Sequence, residues 1–357
     1  MIRALIVESS SQIADAIADA LRREPDMEVC AIARTGPDGV AAAMSLKVDI
    51  IIMGIRLPQL DGFGATKEIM IEAPTPIVII ADDRDSAQIE TSMRALRAGA
   101  LTVIPALNAG RMLEADEARR QFIQTIRLMA GVKVVRRWRR TGSIPQPAKE
   151  HRIAAPRLAH RTRIIAIAAS TGGPAALQRI LTDLPANFPV PILAVQHISQ
   201  GFTSGMVDWL NTVCSLKVRV AVDGQRMEPH TVYFAGDDRH VGVASPTVLR
   251  VADSSPLDGF RPSANYLFAS VAQQFRAAAA GVVLTGMGRD GTEGLKALRK
   301  AGGTVIAQDE SSSVVFGMPG SAISAGVVDE VLPLSEISAR LIDIASLTIN
   351  EENRGHG

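Results

Sequence analysis

The chain has 357 residues, 47% of them hydrophobic, and a formal net charge of +1; this exceeds a comfortable single domain, can fill two cores, and excludes disordered and fibrous classes. The balanced charge gives no global attraction to nucleic acid or anionic membrane, and two cysteines, Cys30 and Cys214, in separate apolar contexts point to a reducing compartment. The first apolar run stops at Glu8, too early for a signal-peptide core, and no stretch nears the ~18 apolar residues of a membrane span, so the expectation is a soluble, cytoplasmic protein without membrane insertion.

Strand-like and helical patterns alternate from the start: residues 3–7 then 14–21, 29–33 then 39–44, 49–53 then 64–71, 77–80 then 87–98, 102–104 then 112–128. Five such βα units predict a doubly wound parallel sheet. Pro58-Gln-Leu-Asp-Gly62, Pro76-Ile-Val-Ile-Ile and Ala98-Gly-Ala100 resemble receiver domains of bacterial response regulators, which implies a flavodoxin-type fold over residues 1–130. The resemblance also implies a phosphoryl site: acids after the first strand for Mg²⁺, an acceptor aspartate after the third, a hydroxyl after the fourth and a lysine after the fifth.

Those chemical positions are altered here. The acidic pair is Glu8-Ser9, the acceptor position four before Pro58 is Gly54, the hydroxyl position is Ala81 and the lysine position is Ala106. Glycine offers no oxygen nucleophile, and one carboxylate is a poor Mg²⁺ shell. The expectation is a pseudo-receiver with no phosphoacceptor and no bound metal, in which Asp61 is a structural turn residue.

Residues 132–163 carry ten Lys or Arg against one acid, Glu150, and three prolines. They read as a basic, partly extended linker, assigned to 131–162. Arg136-Arg-Trp-Arg-Arg140 could pair with phosphates and stack on a base, but nothing around it has a nucleic-acid fold, so the expectation is a solvated linker and no nucleic-acid partner.

The densest signal follows. Six apolar residues, Ile164-Ile-Ala-Ile-Ala-Ala, run into Ser170-Thr-Gly-Gly-Pro174 and then Ala-Ala-Leu-Gln-Arg-Ile-Leu. That is a buried strand, a tight glycine turn and a helix with proline in its first turn, which places a hydroxyl at the carboxyl end of a strand beside unpaired helix N–H groups. A phosphate-binding turn would look similar, yet the spacing Gly-x-Gly-x-x-Gly is incomplete, and Asp183 is too close to bind a ribose. A full Gly-x-Ser-x-Gly elbow is also lacking, since Ala168 stands at its first glycine.

Two further apolar runs end near polar residues: 190–196 before His197, and 278–284 before Thr285-Gly-Met-Gly-Arg-Asp290-Gly. Parallel strands would bring Ser170, His197 and Asp290 to one sheet edge, the constellation for acyl transfer. Each residue alone has an ordinary structural reading, as a helix cap, a strand-end histidine or an acidic turn residue. Asp237-Asp238 follows a glycine after a strand pattern and reads as a turn outside the site.

Ser170-Thr-Gly-Gly-Pro, Val195-Gln-His197, Ala235-Gly-Asp-Asp-Arg-His, Arg261-Pro-Ser-Ala-Asn-Tyr-Leu-Phe, the Asp290 segment, and Ala307-Gln-Asp-Glu through Val315-Phe-Gly-Met-Pro lie in this order. Together they resemble the catalytic domain of the protein-glutamate methylesterases of bacterial chemotaxis. The resemblance implies a Rossmann-like methylesterase domain over residues 163–348, followed by a tail over 349–357. It implies a catalytic triad of Ser170, His197 and Asp290, with Thr171 and Met287 lining the oxyanion site and no cofactor. It also implies a methylated chemoreceptor as substrate, hydrolysis of its glutamate methyl esters, and deamidation of glutamines. With phosphorylation control expected to be lost, the expectation is either constitutive activity or control by a signalling protein that binds the pseudo-receiver. The rival expectation is a noncatalytic adaptor built on the same two domains.

Overall fold

A computed structural model describes residues 1–82, 94–95, 98–106, 116–132, 134, 162–198 and 201–346. The chain divides into two compact units, Met1–Gln146 and Pro147–Gly357. The basic segment from 135 to 161 and the tail from 347 lie outside the described residues, as does most of the helix expected over 87–98.

In the first unit, β1 (Ile2–Val7), β2 (Met27–Ala33), β3 (Ile50–Gly54), β4 (Ile77–Asp82) and β5 (Thr102–Ala106) form one sheet in the order β2-β1-β3-β4-β5. Every pairing in it is parallel. The crossovers carry α1 (Ser11–Arg22), α2 (Gly36–Ser45) and α3 (Gly62–Glu72), and α4 (Asp116–Ala130) follows β5. Their starts follow from local chemistry: the side chains of Ser10, Thr35 and Asp61 accept hydrogen bonds from the amides of Ile13, Asp38 and Gly64. Asp61 is therefore a helix cap, as the Leu-Asp-Gly turn predicts.

The second unit is built on β6 (Ile164–Ala169), β7 (Ile192–Gln196), β8 (Lys217–Val220), β9 (Thr231–Phe234), β12 (Ala279–Val283), β13 (Thr304–Gln308) and β14 (Glu330–Leu332). Their order is β14-β13-β12-β6-β7-β9-β8, again all parallel. Its helices are α5 (Gly173–Asp183), α6 (Thr203–Val213), α7 (Ala264–Phe275), α8 (Thr292–Lys300), α9 (Met318–Ser324) and α10 (Leu334–Ser346). A two-stranded antiparallel hairpin, β10 (His240–Ser245) with β11 (Val248–Ala252), stands apart from that sheet. The βα reading of the sequence did not anticipate it.

Both doubly wound parallel sheets thus match the expected fold class. Ile164, Ile165 and Ile167 of β6 are wholly buried, each contributing about 1.5–3 kcal/mol relative to exposure. With Leu193 and Val195 of β7, and Leu267, Phe268 and Val271 of α7, β6 lies within the hydrophobic core. The chain leaves β6 for β7 on one side and returns through β12 on the other. The carboxyl end of β6 is therefore the topological switch point where such sheets open a crevice.

Candidate active site

Ser170 sits at that switch point. Its amide donates to the carbonyl of Thr285 at 3.0 Å, and its carbonyl accepts from the amide of Gly173 at 2.8 Å, closing the turn. Gly172 has φ +78°, and a Cβ there would lie 2.6 Å from Cβ of Val314, so only glycine fits. The helix that follows has no side-chain cap. Of its first amides, however, Gly173 is spent on Ser170, Pro174 has no N–H and Ala176 donates to the carbonyl of Gly172 at 3.2 Å, so the row of unpaired amides expected at this helix start is largely used up.

Two strand-end glutamines brace the turn. Gln196 donates through Nε2 to the carbonyls of Ser170 at 2.8 Å and His197 at 2.9 Å, tying the two segments together. Gln308 accepts the amide of Thr285 at 2.8 Å. The Thr285 hydroxyl lies 2.9 Å from the carbonyl of Thr171, which it holds by donating. Met287 is half-buried in the next loop, where the Gly286 carbonyl accepts the amides of Gly317 and Met318 at 3.0 and 2.9 Å.

His197 follows β7, and its amide extends the strand ladder to the carbonyl of Ala169 at 2.9 Å. Its ring Nε2 stands 3.0 Å from Oδ2 of Asp290. A carboxylate only accepts, so Nε2 carries the proton and Nδ1 keeps its lone pair. That Nδ1 is buried and has no hydrogen-bond partner. The Asp290 carboxylate thus fixes the tautomer that makes Nδ1 a base.

Asp290 is only 2% exposed and lies at the start of α7. Its Oδ1 accepts from the hydroxyl of Ser263 at 2.9 Å and the amide of Asn265 at 3.0 Å, and its Oδ2 from the amide of Ala264 at 2.6 Å. Burial pushes its carboxyl upward, but the hydrogen bonds from His197, Ala264 and Asn265 outweigh that and hold it below the ordinary range. The carboxylate is reached by a loop beyond β12 and is held by a helix N-terminus. The loop is fixed in turn by Asn265, whose side-chain oxygen accepts the amides of Gly291 and Gly294 at 3.0 and 2.9 Å.

A second serine and histidine join this network. The amide of Ser263 donates to Nδ1 of His240 at 3.2 Å, and the His240 ring stacks on Tyr266. Both residues are wholly buried, and the Ser263 hydroxyl is already engaged with Asp290 and with the amides of Asn265 and Tyr266. This Ser263–His240–Asp290 network is consistent with a triad carboxylate that needs support from behind. Neither Ser263 nor His240 stood out in the sequence as a site residue, although each lies in one of the motifs that carry the resemblance. The signal for Ser263 was its place as N-cap of a helix directly after the Arg-Pro pair.

The Asp237-Asp238 pair is indeed in a turn, with Asp238 at φ +52°. Its carboxylates are clamps: Asp237 accepts from the amide of Gly201 and the hydroxyl of Thr203, and Asp238 pairs with Arg261.

In the first unit the strand ends carry Glu8-Ser9 and Gly54. Oε1 of Glu8 accepts the amide of Ser10 at 2.8 Å. Its other oxygen covers Gly54 so closely that a Cβ there would collide with it. Burial raises the carboxyl of Glu8 above its ordinary range despite that hydrogen bond. No group of three or more His, Cys, Asp or Glu among the described residues could hold a metal ion. No described helix is long and apolar enough to cross a membrane.

Fold and site together define a class: a doubly wound parallel α/β unit with a serine, a histidine and a buried carboxylate around its switch point, following a receiver-like α/β unit in the chain. The CheB methylesterase family profile matches residues 165–341, and the response regulator receiver domain profile matches residues 4–107. A protein-glutamate methylesterase/protein-glutamine glutaminase of the group 3 operon of Rhizobium meliloti is 46% identical, over 97% of each chain. One from Myxococcus xanthus is 44% identical, over 95% of this chain and 96% of its own. The crystal structure of the Thermotoga maritima CheB methylesterase catalytic domain aligns with a TM-score of 0.50 at 39% identity, covering 51% of this chain and 98% of that one. The chain belongs to the CheB methylesterase family.

Proposed function

We propose that the protein hydrolyses glutamate methyl esters on the cytoplasmic helices of chemoreceptors, releasing methanol, and deamidates glutamines by the same route. Its enzyme class is protein-glutamate methylesterase/protein-glutamine glutaminase. Ser170, His197 and Asp290 act as the triad. Oγ of Ser170 attacks the ester carbonyl carbon as its proton passes to Nδ1 of His197, while Nε2–H stays on Asp290. The oxyanion forms beside the helix N-terminus, where Thr171 and Met287 line it. The imidazolium then protonates the departing methoxide, and a water, activated by the same Nδ1, releases the glutamate carboxylate. For glutamine the leaving group is ammonia.

One observation carries this reading: the carboxylate-bound His197 has a buried, partnerless Nδ1 in the same site as the Ser170 turn. Ser170 makes no hydrogen bond to it among the described residues, as is common for a catalytic pair before substrate tightens the site. An adaptor that had lost catalysis would have no physical reason to keep an unsatisfied imidazole nitrogen there.

The first unit, residues 1–130, is a receiver that has lost phosphoryl transfer. The support is Glu8: its carboxylate fills the space over Gly54 that an acceptor side chain would need. Regulation then falls to a signalling protein that binds this unit, with residues 131–162 as linker, 163–348 as the catalytic domain and 349–357 as tail. The test of the activity is methanol release from methylated receptor membranes, which the full chain should produce and an adaptor should not.

A further inference from the structure

The contact to Asp290 restrains His197 at one ring atom. A single hydrogen bond leaves the plane of the ring to be set by something else. Phe260 supplies that restraint, stacking on the imidazole with 4.6 Å between centroids and 17° between planes.

Phe260 lies in the segment 253–262 between β11 and α7, where it exchanges backbone hydrogen bonds with Leu257 at 2.9 and 3.1 Å. Arg261, the next residue, fastens the segment. Its Nε and Nη2 donate to the two oxygens of Asp238, both at 2.6 Å. Its Nη1 donates to the carbonyls of Asp253 at 2.9 Å and Ser254 at 3.2 Å. A planar guanidinium gripped at both ends removes the freedom of the residue beside it. Asp237 meanwhile anchors Gly201 and Thr203, so adjacent aspartates hold the segment that follows His197 and the one that carries Phe260.

We propose that Phe260, clamped by Arg261 and Asp238, is a positioning residue that fixes the plane of the His197 imidazole and stabilises the imidazolium formed when Ser170 loses its proton. This rests on the triad reading above. The aromatic face attracts a cation stacked on it, so it favours the protonated ring over the neutral one as the serine attacks. An aliphatic side chain of similar size would fill the space without setting a plane or offering a π-face.

The test uses the full-length protein carrying Phe260→Leu, Phe260→Tyr or His197→Gln, with methanol-release kinetics and NMR of the histidine ring protons. His197→Gln assigns the relevant signal among the six histidines. Phe260→Leu should lower kcat by about 10- to 100-fold with KM within about twofold, and should shift the His197 ring protons as the aromatic ring current is lost. Phe260→Tyr should restore most of the rate and the original shifts. A Phe260→Leu enzyme with wild-type kcat, or one that is slow while the His197 signals stay in place, overturns the proposal. If His197→Gln releases methanol at the wild-type rate, the triad reading fails and this inference with it. If His197→Gln is inactive while Phe260→Leu is not impaired, the inference alone fails.

Discussion

Asp290 binds His197 at Nε2, at 3.0 Å, and leaves Nδ1 as the basic nitrogen. In the familiar serine hydrolase arrangement the carboxylate takes Nδ1 and the serine faces Nε2. In the proposed triad the two ring nitrogens exchange roles, and the physical requirement is unchanged: a proton fixed on one nitrogen bares the other.

Asp290→Asn should therefore be far worse than its small change in shape suggests. An amide can offer N–H to Nε2, which moves the ring proton to Nδ1 and removes the base. The expected loss in kcat is about 10⁴-fold, with some loss of stability because the same NH₂ faces the Ala264 amide that donates to Oδ2. Steady-state methanol release together with a thermal melt checks it, and an enzyme within tenfold of wild type would show that the tautomer is not set by this carboxylate. The same substitution bears on acid stability. The folded carboxyl lies below the ordinary 3.8, so its stabilisation is present above that value and lost as pH falls through the folded one. Asp290→Asn should remove that part of the acid dependence.

Glu8 carries the opposite sign. Burial raises its folded pKa above the ordinary 4.5, so the ionised side chain opposes folding at neutral pH, and the penalty fades as pH falls toward 4.5. Glu8→Gln keeps the oxygen that accepts the Ser10 amide and removes the charge. It should raise the melting temperature of the first unit at pH 7, with the gain shrinking in acid. Melting curves across pH decide this; an equal or lower melting temperature at neutral pH would refute the buried-charge account.

The Glu8–Gly54 contact also predicts chemical silence. Incubation with acetyl phosphate and Mg²⁺ should add no mass to the first unit and leave the esterase rate unchanged, because Gly54 has no oxygen to phosphorylate. Borohydride trapping followed by peptide mapping is the check. A phosphoryl group on Asp61 would restore phosphorelay control and overturn the reading of the receiver.

What was legible in the sequence was whatever is encoded locally. The strand under Ser170 and the one before His197 are uninterrupted apolar runs, and the turn announces itself because Gly172 needs a positive φ. The supports were not legible as such. Ser263 and Asn265 meet Asp290 from 27 and 25 residues away, and Phe260, in the segment between β11 and α7, meets the histidine that follows β7. No periodicity reports such contacts. Asp237 and Asp238 illustrate the limit well: a turn was the right local reading, while their clamping partners Thr203 and Arg261 appear only in the folded chain. The β10–β11 hairpin escaped because it lies in a stretch, from β8 to β11, where strands follow one another without helices and the βα alternation stops.

The most direct measurement of the central claim is methanol release from methylated receptor membranes by purified Ser170→Ala protein beside the wild type. The substitution removes one oxygen and leaves the backbone bonds to Thr285 and Gln196 in place. The nucleophile account predicts that release falls to the uncatalysed background while the melting temperature is unchanged. Release by folded Ser170→Ala protein at close to the wild-type rate would contradict it.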